Sequence, residues 1–410
     1  MPPKLYRNTQ FSSMTPILSF GSMPIANGFL TPKEFEREYF FELAVGFCEK
    51  SKMFGLMEQP DPRMMFHDHY AFFSSTSNKM AEHFEIMAHH YMKDFLPTKE
   101  GAFVVELGSN DGIMLRHFAK AGIKHLGIEP STNVAAIAAN KGVNTLSKFF
   151  GEETAKEILE THGKADIISA ANVMCHIPDL HSVGQGVSAL LKESGIFVFE
   201  DPYLGDMIQK TSYDQIYDEH VYIFSVLSVS EAFSLHDLEV FHVEPQKTHG
   251  GSMRYYLCRK GTRPIQDSVH FQVQKELKWG LQKLETYKQF AQNCEKSKQA
   301  LVTLLRRLKA ENKRIIGYAA TSKSTTVLNY CGIGPDIIDY ICDTTPLKQG
   351  KFSPGMHIPI KSYEDFKKDK PDYAILFAWN HAEEIFAKET EFLEQGGQWI
   401  TFVPEVKVLS

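Results

Sequence analysis

The stretch Val104-Val-Glu-Leu-Gly-Ser-Asn-Asp-Gly-Ile-Met-Leu limits what this chain can fold into more than any other. A short apolar run leads into a loop holding Gly108 and Gly112, and a helical stretch follows. Glycine lets the main chain turn sharply and approach a ligand closely. The start of a helix adds free N–H groups. Strand, glycine loop and helix in this order open a nucleotide-binding α/β unit. The loop reads Glu-x-Gly-x-x-x-Gly, not the G-x-G-x-x-G of hydride-transfer enzymes.

The flanking sequence repeats the alternation. Apolar runs at Phe103–Leu107, His125–Glu129, Asp166–Ala170 and Ile196–Glu200 are separated by helical stretches, as in parallel strands buried on both faces. Two more runs, Leu238–His242 and Met253–Leu257, lie close together around Gly250 and Gly251 and predict an antiparallel pair at one sheet edge. The expected fold class is therefore α/β, with a Rossmann-like central domain over residues 99–262. An irregular N-terminal lobe rich in Met, Phe and Pro precedes it over 1–98, with a helix at Asn78–Phe95. Residues 263–313 read as a helical linker of one or two amphipathic helices, in which Leu277, Leu281, Leu284, Tyr287 and Phe290 recur at helical spacing. A smaller C-terminal α/β domain over 314–410 has strands at Arg314–Tyr318, Ile338–Cys342 and Tyr373–Phe377.

Composition excludes several classes. The net charge is -6 with no basic block, so no nucleic-acid partner is expected. No apolar run approaches a membrane span, and the start at Met1-Pro-Pro-Lys lacks the long apolar run expected of a signal peptide. Six scattered cysteines form no C-x-x-C pair, which fits a reducing cytoplasm and neither a disulfide framework nor a zinc ribbon. The sequence sets no oligomeric state.

Acidic residues stand at the ends of the first two central strands. Glu106 is placed to accept an ammonium group, and Glu129, about 20 residues on, to bind ribose hydroxyls. With Gly108, Asn110, Gly112 and, after the third strand, Asn172, they suit S-adenosylmethionine (SAM). The competing reading is a plain strand-turn-helix with a solvated Glu. Beyond the fourth strand, Tyr217, Glu219, His220 and Tyr222 crowd one segment, and a His among phenols and carboxylates is suited to moving protons. A surface loop is the bland alternative. His176 ends another strand and should face the same cleft, unless it is a structural histidine. His249, Gly250 and Ser252 offer small side chains and amides for a phosphate or sugar hydroxyl, or make a simple hairpin turn. Lys323 follows the C-terminal domain's own strand-loop-helix entry as a diphosphate partner or as a structural residue.

These pieces, in this order, resemble the three-domain sugar C-methyltransferases that act on nucleotide-linked deoxysugars, including C-3' enzymes of the tetronitrose pathway. The resemblance rests on Met23-Pro-Ile-Ala-Asn-Gly-Phe-Leu, Ser74-Ser-Thr-Ser, Glu106-Leu-Gly-Ser-Asn-Asp-Gly, Ala171-Asn-Val-Met-Cys-His-Ile-Pro-Asp-Leu, Ile216-Tyr-Asp-Glu-His, His249-Gly-Gly-Ser, Lys348-Gln-Gly-Lys-Phe-Ser-Pro-Gly and Trp379-Asn. It implies a class I SAM-methyltransferase central domain and a 4-keto nucleotide sugar, usually linked to dTDP, methylated on the carbon next to the ketone. It also implies His220 as base, with Tyr217, Glu219 and His176 beside it, and an N-terminal active-site tyrosine around His69-Tyr-Ala-Phe-Phe-Ser, where Tyr70 is present and the alternate position carries Phe72. The rivals are an O-methyltransferase on a sugar or small acid and a non-catalytic SAM-fold binding protein.

The chain departs from the family at one place. The family's N-terminal domain holds zinc with two C-x-x-C pairs, whereas here the first is absent and the second reads Cys48-Glu-Lys-Ser51. Structural zinc takes four ligands, and only His67 or His69 stand nearby to replace the missing thiols, so the expectation is a lobe that folds without zinc, on Phe40, Phe41, Leu43, Phe47 and Phe54.

Overall fold

The computed structural model describes residues 6–7, 14–65, 78–96 and 98–409. In chain order the strands are β1 (Tyr6–Arg7), β2 (Thr15–Pro24), β3 (Phe40–Cys48), β4 (Met53–Leu56) and β5 (Glu58–Gln59) in the N-terminal lobe. They continue as β6 (Phe103–Leu107), β7 (Lys124–Ile128), β8 (Thr145–Leu146), β9 (Ala165–Ala171), β10 (Leu191–Pro202), β11 (Tyr222–Ile223), β12 (Leu238–Gln246) and β13 (Ser252–Arg259). The last group is β14 (Ile315–Tyr318), β15 (Ile341–Cys342), β16 (Ile360–Lys361), β17 (Tyr373–Leu376), β18 (Gln398–Thr401) and β19 (Lys407–Leu409).

The central sheet has seven strands in the order β12-β13-β10-β9-β6-β7-β8. From β10 to β8 all pairings are parallel, and β13 pairs antiparallel with both β10 and β12. The expected edge pair is present, with the later strand inserted inside the earlier one. All five residues of β6 are buried, because helices cover both faces. Chain order reverses direction between β6 and β9, and the crevice beyond the strand ends at such a switch point is where open α/β sheets bind ligands.

Helix Asn78–Asp94, which the sequence reading places in the N-terminal lobe, packs Phe84, Met87, Ala88 and Tyr91 into the central core with Val104, Phe118, Ile196 and Tyr256. The lobe itself, expected to be irregular, contains a four-stranded antiparallel sheet of order β11-β4-β3-β2. Its last strand comes from the central region, so the segment before Tyr222 is tied to the lobe through Tyr222 opposite Gly55.

The apolar spacing from Leu277 to Phe290 belongs to two helices, one of the two arrangements it allows. Helices Asp267–Trp279 and Leu284–Ala310 are separated at Gly280, whose φ of 74° is left-handed; glycine tolerates that conformation at no steric cost. The first helix packs on the central sheet, where Glu276 accepts from the amides of Val226 and Leu227 at 2.8 and 3.0 Å and caps helix Val226–Ser234 from outside. The second buries Tyr287, Phe290, Cys294, Leu301, Leu305 and Leu308 in one core shared with Phe47 and Phe54 of the lobe and Ile315 of the C-terminal sheet. Tyr287 stacks on Phe47 at 4.0 Å. The C-terminal sheet runs β16-β15-β14-β17-β18-β19, parallel except for β19. The strand expected over Ile338–Cys342 pairs with β14 through Ile341 and Cys342, and main-chain hydrogen bonds to β14 extend back to Asp339 and Tyr340.

Candidate active site

The first half of the site lies at the switch point. Beyond β6, Gly108 has φ 59°, and a Cβ there would meet Val173 Cγ2 at 2.3 Å, so both backbone and space require glycine. Gly112 has φ 77° and lies against Val143; Asn110 is also left-handed, at φ 48°. Glu106 is 3% exposed, and its Oε2 has no hydrogen-bond partner. Burial first, then the charges of Glu129 and Asp111, hold its carboxyl well above the usual carboxylate range. Glu129 accepts from the amides of Asn110 at 3.0 Å and Ser131 at 2.9 Å, fixing the glycine loop to the end of β7; its carboxyl is raised by burial. Lys141 pairs with Asp111 at 2.9 Å. Three carboxyl groups thus converge on the loop with one lysine among them, and a buried acid with an unused oxygen calls for a cation. The ammonium of SAM fits that requirement.

The second half lies beyond β9 and β10. His220 is 6% exposed. Its Nδ1 is 2.7 Å from the Gln215 carbonyl, which can only accept, so Nδ1 carries the proton. Nε2 therefore holds the lone pair and accepts from the Tyr217 hydroxyl at 2.7 Å. The His176 ring stacks on His220 with centroids 5.4 Å apart. Burial pushes His176 down to about 4; burial and the neighbouring His176 push His220 well below the usual imidazole range. Both rings are neutral at neutral pH. Behind them, Asp201 at the end of β10 accepts from the Cys175 amide at 3.2 Å, and burial raises its carboxyl to about 8.

All three lobes grip the segment Tyr213–Phe224. Asn27 donates to Glu219 at 2.8 Å and the Ala26 amide to Asp218 at 2.9 Å. From helix Ser322–Cys331, Thr326 donates to the Ile216 carbonyl at 2.8 Å and Thr325 to the Ala26 carbonyl at 2.9 Å. Trp379 Nε1 donates to Asp214 at 2.6 Å. Lys323 lies 4.9 Å above the Trp379 ring and reaches the His249 carbonyl and Asn380, each at 3.3 Å.

The structure brings His176, Tyr217, Glu219, His220, His249, Gly250 and Lys323 into this junction. Asn172, left-handed at φ 53°, bonds His249 Nε2 through its side-chain amide and so links the switch-point half to the hairpin. Ser252 is buried, with its hydroxyl given to the Thr248 carbonyl at 3.1 Å. Tyr222 is buried too, and its hydroxyl is donated to the Pro178 carbonyl at 2.9 Å. Tyr70 lies outside the described residues. Reasoning from sequence assigned no task to Asn27, Asp201, Asp214 or Trp379. Two of these sit inside the motifs quoted above, Asn27 in Met23–Leu30 and Trp379 in Trp379-Asn, which was the available signal.

A seven-stranded sheet of this order, with a glycine loop and an acidic cluster at its switch point, defines a class I SAM-dependent methyltransferase. Family models match in three consecutive parts: a putative zinc binding domain at residues 8–66, a methyltransferase domain at 80–243 and a C-methyltransferase C-terminal domain at 247–404. The chain is 35% identical over 396 residues to C-methyltransferase NovU of Streptomyces niveus, covering 96% of this chain and 94% of that protein. The chain belongs to this family of SAM-dependent C-methyltransferases. Ubiquinone biosynthesis O-methyltransferase of Colwellia psychrerythraea is 34% identical over 101 residues, 23% of this chain and 40% of that protein. Among solved structures, magnesium protoporphyrin IX methyltransferase of Synechocystis with bound SAM is 12% identical, with a TM-score of 0.33 over 44% of this chain and 79% of that one.

The matched zinc-binding region does not fit a zinc ion. Between residues 8 and 66 the chain has one cysteine, Cys48, and no histidine, against the four N or S ligands that structural zinc takes; His67 and His69, just beyond, lie outside the described residues. No helix among the described residues is long and apolar enough to cross a membrane.

Proposed function

We propose that this protein methylates the carbon next to the ketone of a 4-keto deoxysugar linked to a nucleotide, dTDP being the carrier that the sequence resemblance implies, and that it works in the cytoplasm. The observation that supports this best is the Tyr217–His220 pair: a neutral imidazole with its lone pair on Nε2, held by the Gln215 carbonyl and capped by a phenol. An O-methyltransferase needs a base for a hydroxyl. A C-methyltransferase needs a base together with a donor for an enolate oxygen, and here the two are adjacent.

Glu106, Gly108, Asn110, Gly112, Glu129 and Asn172 hold SAM, which supplies a methyl group on a positively charged sulfur. Lys323, with the hairpin at His249, Gly250 and Ser252, takes the diphosphate end of the sugar nucleotide. When the sugar enters, the Tyr217 hydroxyl leaves Nε2 and donates to the ketone oxygen. The freed Nε2 takes the proton from the adjacent carbon, and negative charge collects on the oxygen that Tyr217 holds. The positive charge that forms on His220 is shared with the Gln215 carbonyl through Nδ1–H. Glu219, fixed by Asn27, and His176, stacked on the base, keep the ring in place. Tyr222 shapes the site from behind, with its hydroxyl on Pro178.

Incubating the protein with methyl-labelled SAM and a panel of 4-keto dTDP sugars tests the proposal. The expected product gains one methyl whose carbon signal is that of a C–CH3 group. An O–CH3 signal, or no product from any 4-keto sugar, contradicts it.

A further inference from the structure

Cys175 has no task in the methylation chemistry, yet it lies in the centre of the site. Its sulfur, a ring nitrogen of His176 and a ring nitrogen of His220 all lie within 4.8 Å of one another. Cys175 is wholly buried and His220 nearly so. The groups around them match those that orient metal ligands. A metal-bound imidazole characteristically donates its other N–H to a carbonyl or carboxylate, and His220 already does so to Gln215 at 2.7 Å. The Asp201 carboxyl lies against both the amide and the thiol of Cys175. Of the chain's six cysteines, Cys175 alone falls in a His/Cys/carboxylate cluster among the described residues.

We propose that Cys175, His176 and His220 form a binding site for one thiophilic divalent cation of the zinc and cadmium kind, and that this cation competes with the sugar for the centre. The competition rests on the reading that His220 faces the sugar; the binding does not. Zinc bonds nitrogen and sulfur at about 2.0–2.3 Å in a tetrahedron, which puts neighbouring donor atoms roughly 3.3–3.8 Å apart. The three donors must draw together by about 1 Å, a modest side-chain rotation. Cys175 gives up its thiol proton to solvent as the sulfur–metal bond forms. The Nε2 lone pair of His220 turns from the Tyr217 hydroxyl to the metal, and one nitrogen of His176 supplies the third bond. Water or the displaced Tyr217 oxygen takes the fourth position. No electron transfer is involved.

Cadmium titration of chelator-treated protein tests this through the ultraviolet thiolate-to-cadmium band, which needs no substrate. Wild type should show a band that saturates at one equivalent. Cys175→Ser and Cys175→Ala should lose it, and His176→Asn should bind at least tenfold more weakly. Cadmium should inhibit turnover of wild type but not of Cys175→Ser, whose turnover without metal stays near wild type. Absence of a band in wild type, or an unchanged band in both Cys175 variants, overturns the proposal. If the methylation reading alone fails, the band and its loss in the variants remain.

Discussion

His220 has one ring nitrogen committed to a main-chain carbonyl, and that fixes what the other can do. Because Nδ1 holds the proton, Nε2 is a base without any prior titration at neutral pH. Replacing it with Asn keeps approximate size and removes the base. Turnover of His220→Asn should fall by roughly 10²–10⁴-fold, the usual worth of a general base, with SAM affinity within about twofold; a loss confined to SAM binding, by calorimetry, would move the residue out of the chemistry. Glu106 gives a pH test. Its carboxyl is raised by burial, Glu129 and Asp111, and only the ionised form attracts an ammonium. SAM affinity should therefore rise as pH climbs above the ordinary carboxylate range, until Glu106 is ionised. In Glu106→Gln that slope should disappear and affinity should drop by about tenfold or more, as for a lost charged hydrogen bond. An identical slope in the variant would assign the titration to another group. Glu106 and Gly108 were legible in the sequence because strand and loop are contiguous. Asp214 with Trp379 was not, because the partners stand 165 residues apart and a tryptophan reads as core.

Elements were legible in proportion to their burial and length. Phe103–Leu107 could be read residue for residue, because a run buried on both faces has no other explanation at that length. The two-residue strands β8 and β11 carry too few residues to show a period. The spacing left one or two helices open and did not place the break at Gly280, because apolar spacing continues across it. The hairpin and the helix Ser322–Cys331 meet at Trp379, and their fit has a direct test. A Cβ on Gly250 would lie 2.2 Å from the Trp379 ring, and the residue's φ is +89°. Gly250→Ala should push the indole off Asp214 and cut turnover by about tenfold or more, while Trp379→Phe, which keeps the ring and loses the N–H, should cost less. Steady-state kinetics with SAM affinity measured in parallel checks both. Wild-type turnover in Gly250→Ala would show that the C-terminal domain does not set the position of the catalytic segment.

At the scale of the whole molecule, one long helix joins the N-terminal sheet to the C-terminal sheet through a shared core. The central domain is left to contribute the strand ends. Phe47 and Phe54 of the lobe pack on Tyr287 of the long helix, so the lobe's aromatic core is built without recourse to a metal ligand. Cys48→Ser should leave the metal content of the purified protein unchanged; loss of one zinc per chain in that variant would make the lobe a metal site after all. The segment that carries Tyr217 and His220 is anchored from all three lobes, an arrangement suited to holding a weak carbon acid in one orientation. The most direct test is hydrogen exchange in heavy water, with the demethylated product of SAM bound in place of the donor. Wild type should replace the acidic C–H of the 4-keto sugar with deuterium, Tyr217→Phe should do so more slowly, and His220→Asn should not exchange. Exchange by His220→Asn at the wild-type rate would contradict the account and transfer the role of base to another group, with His176 the first to examine.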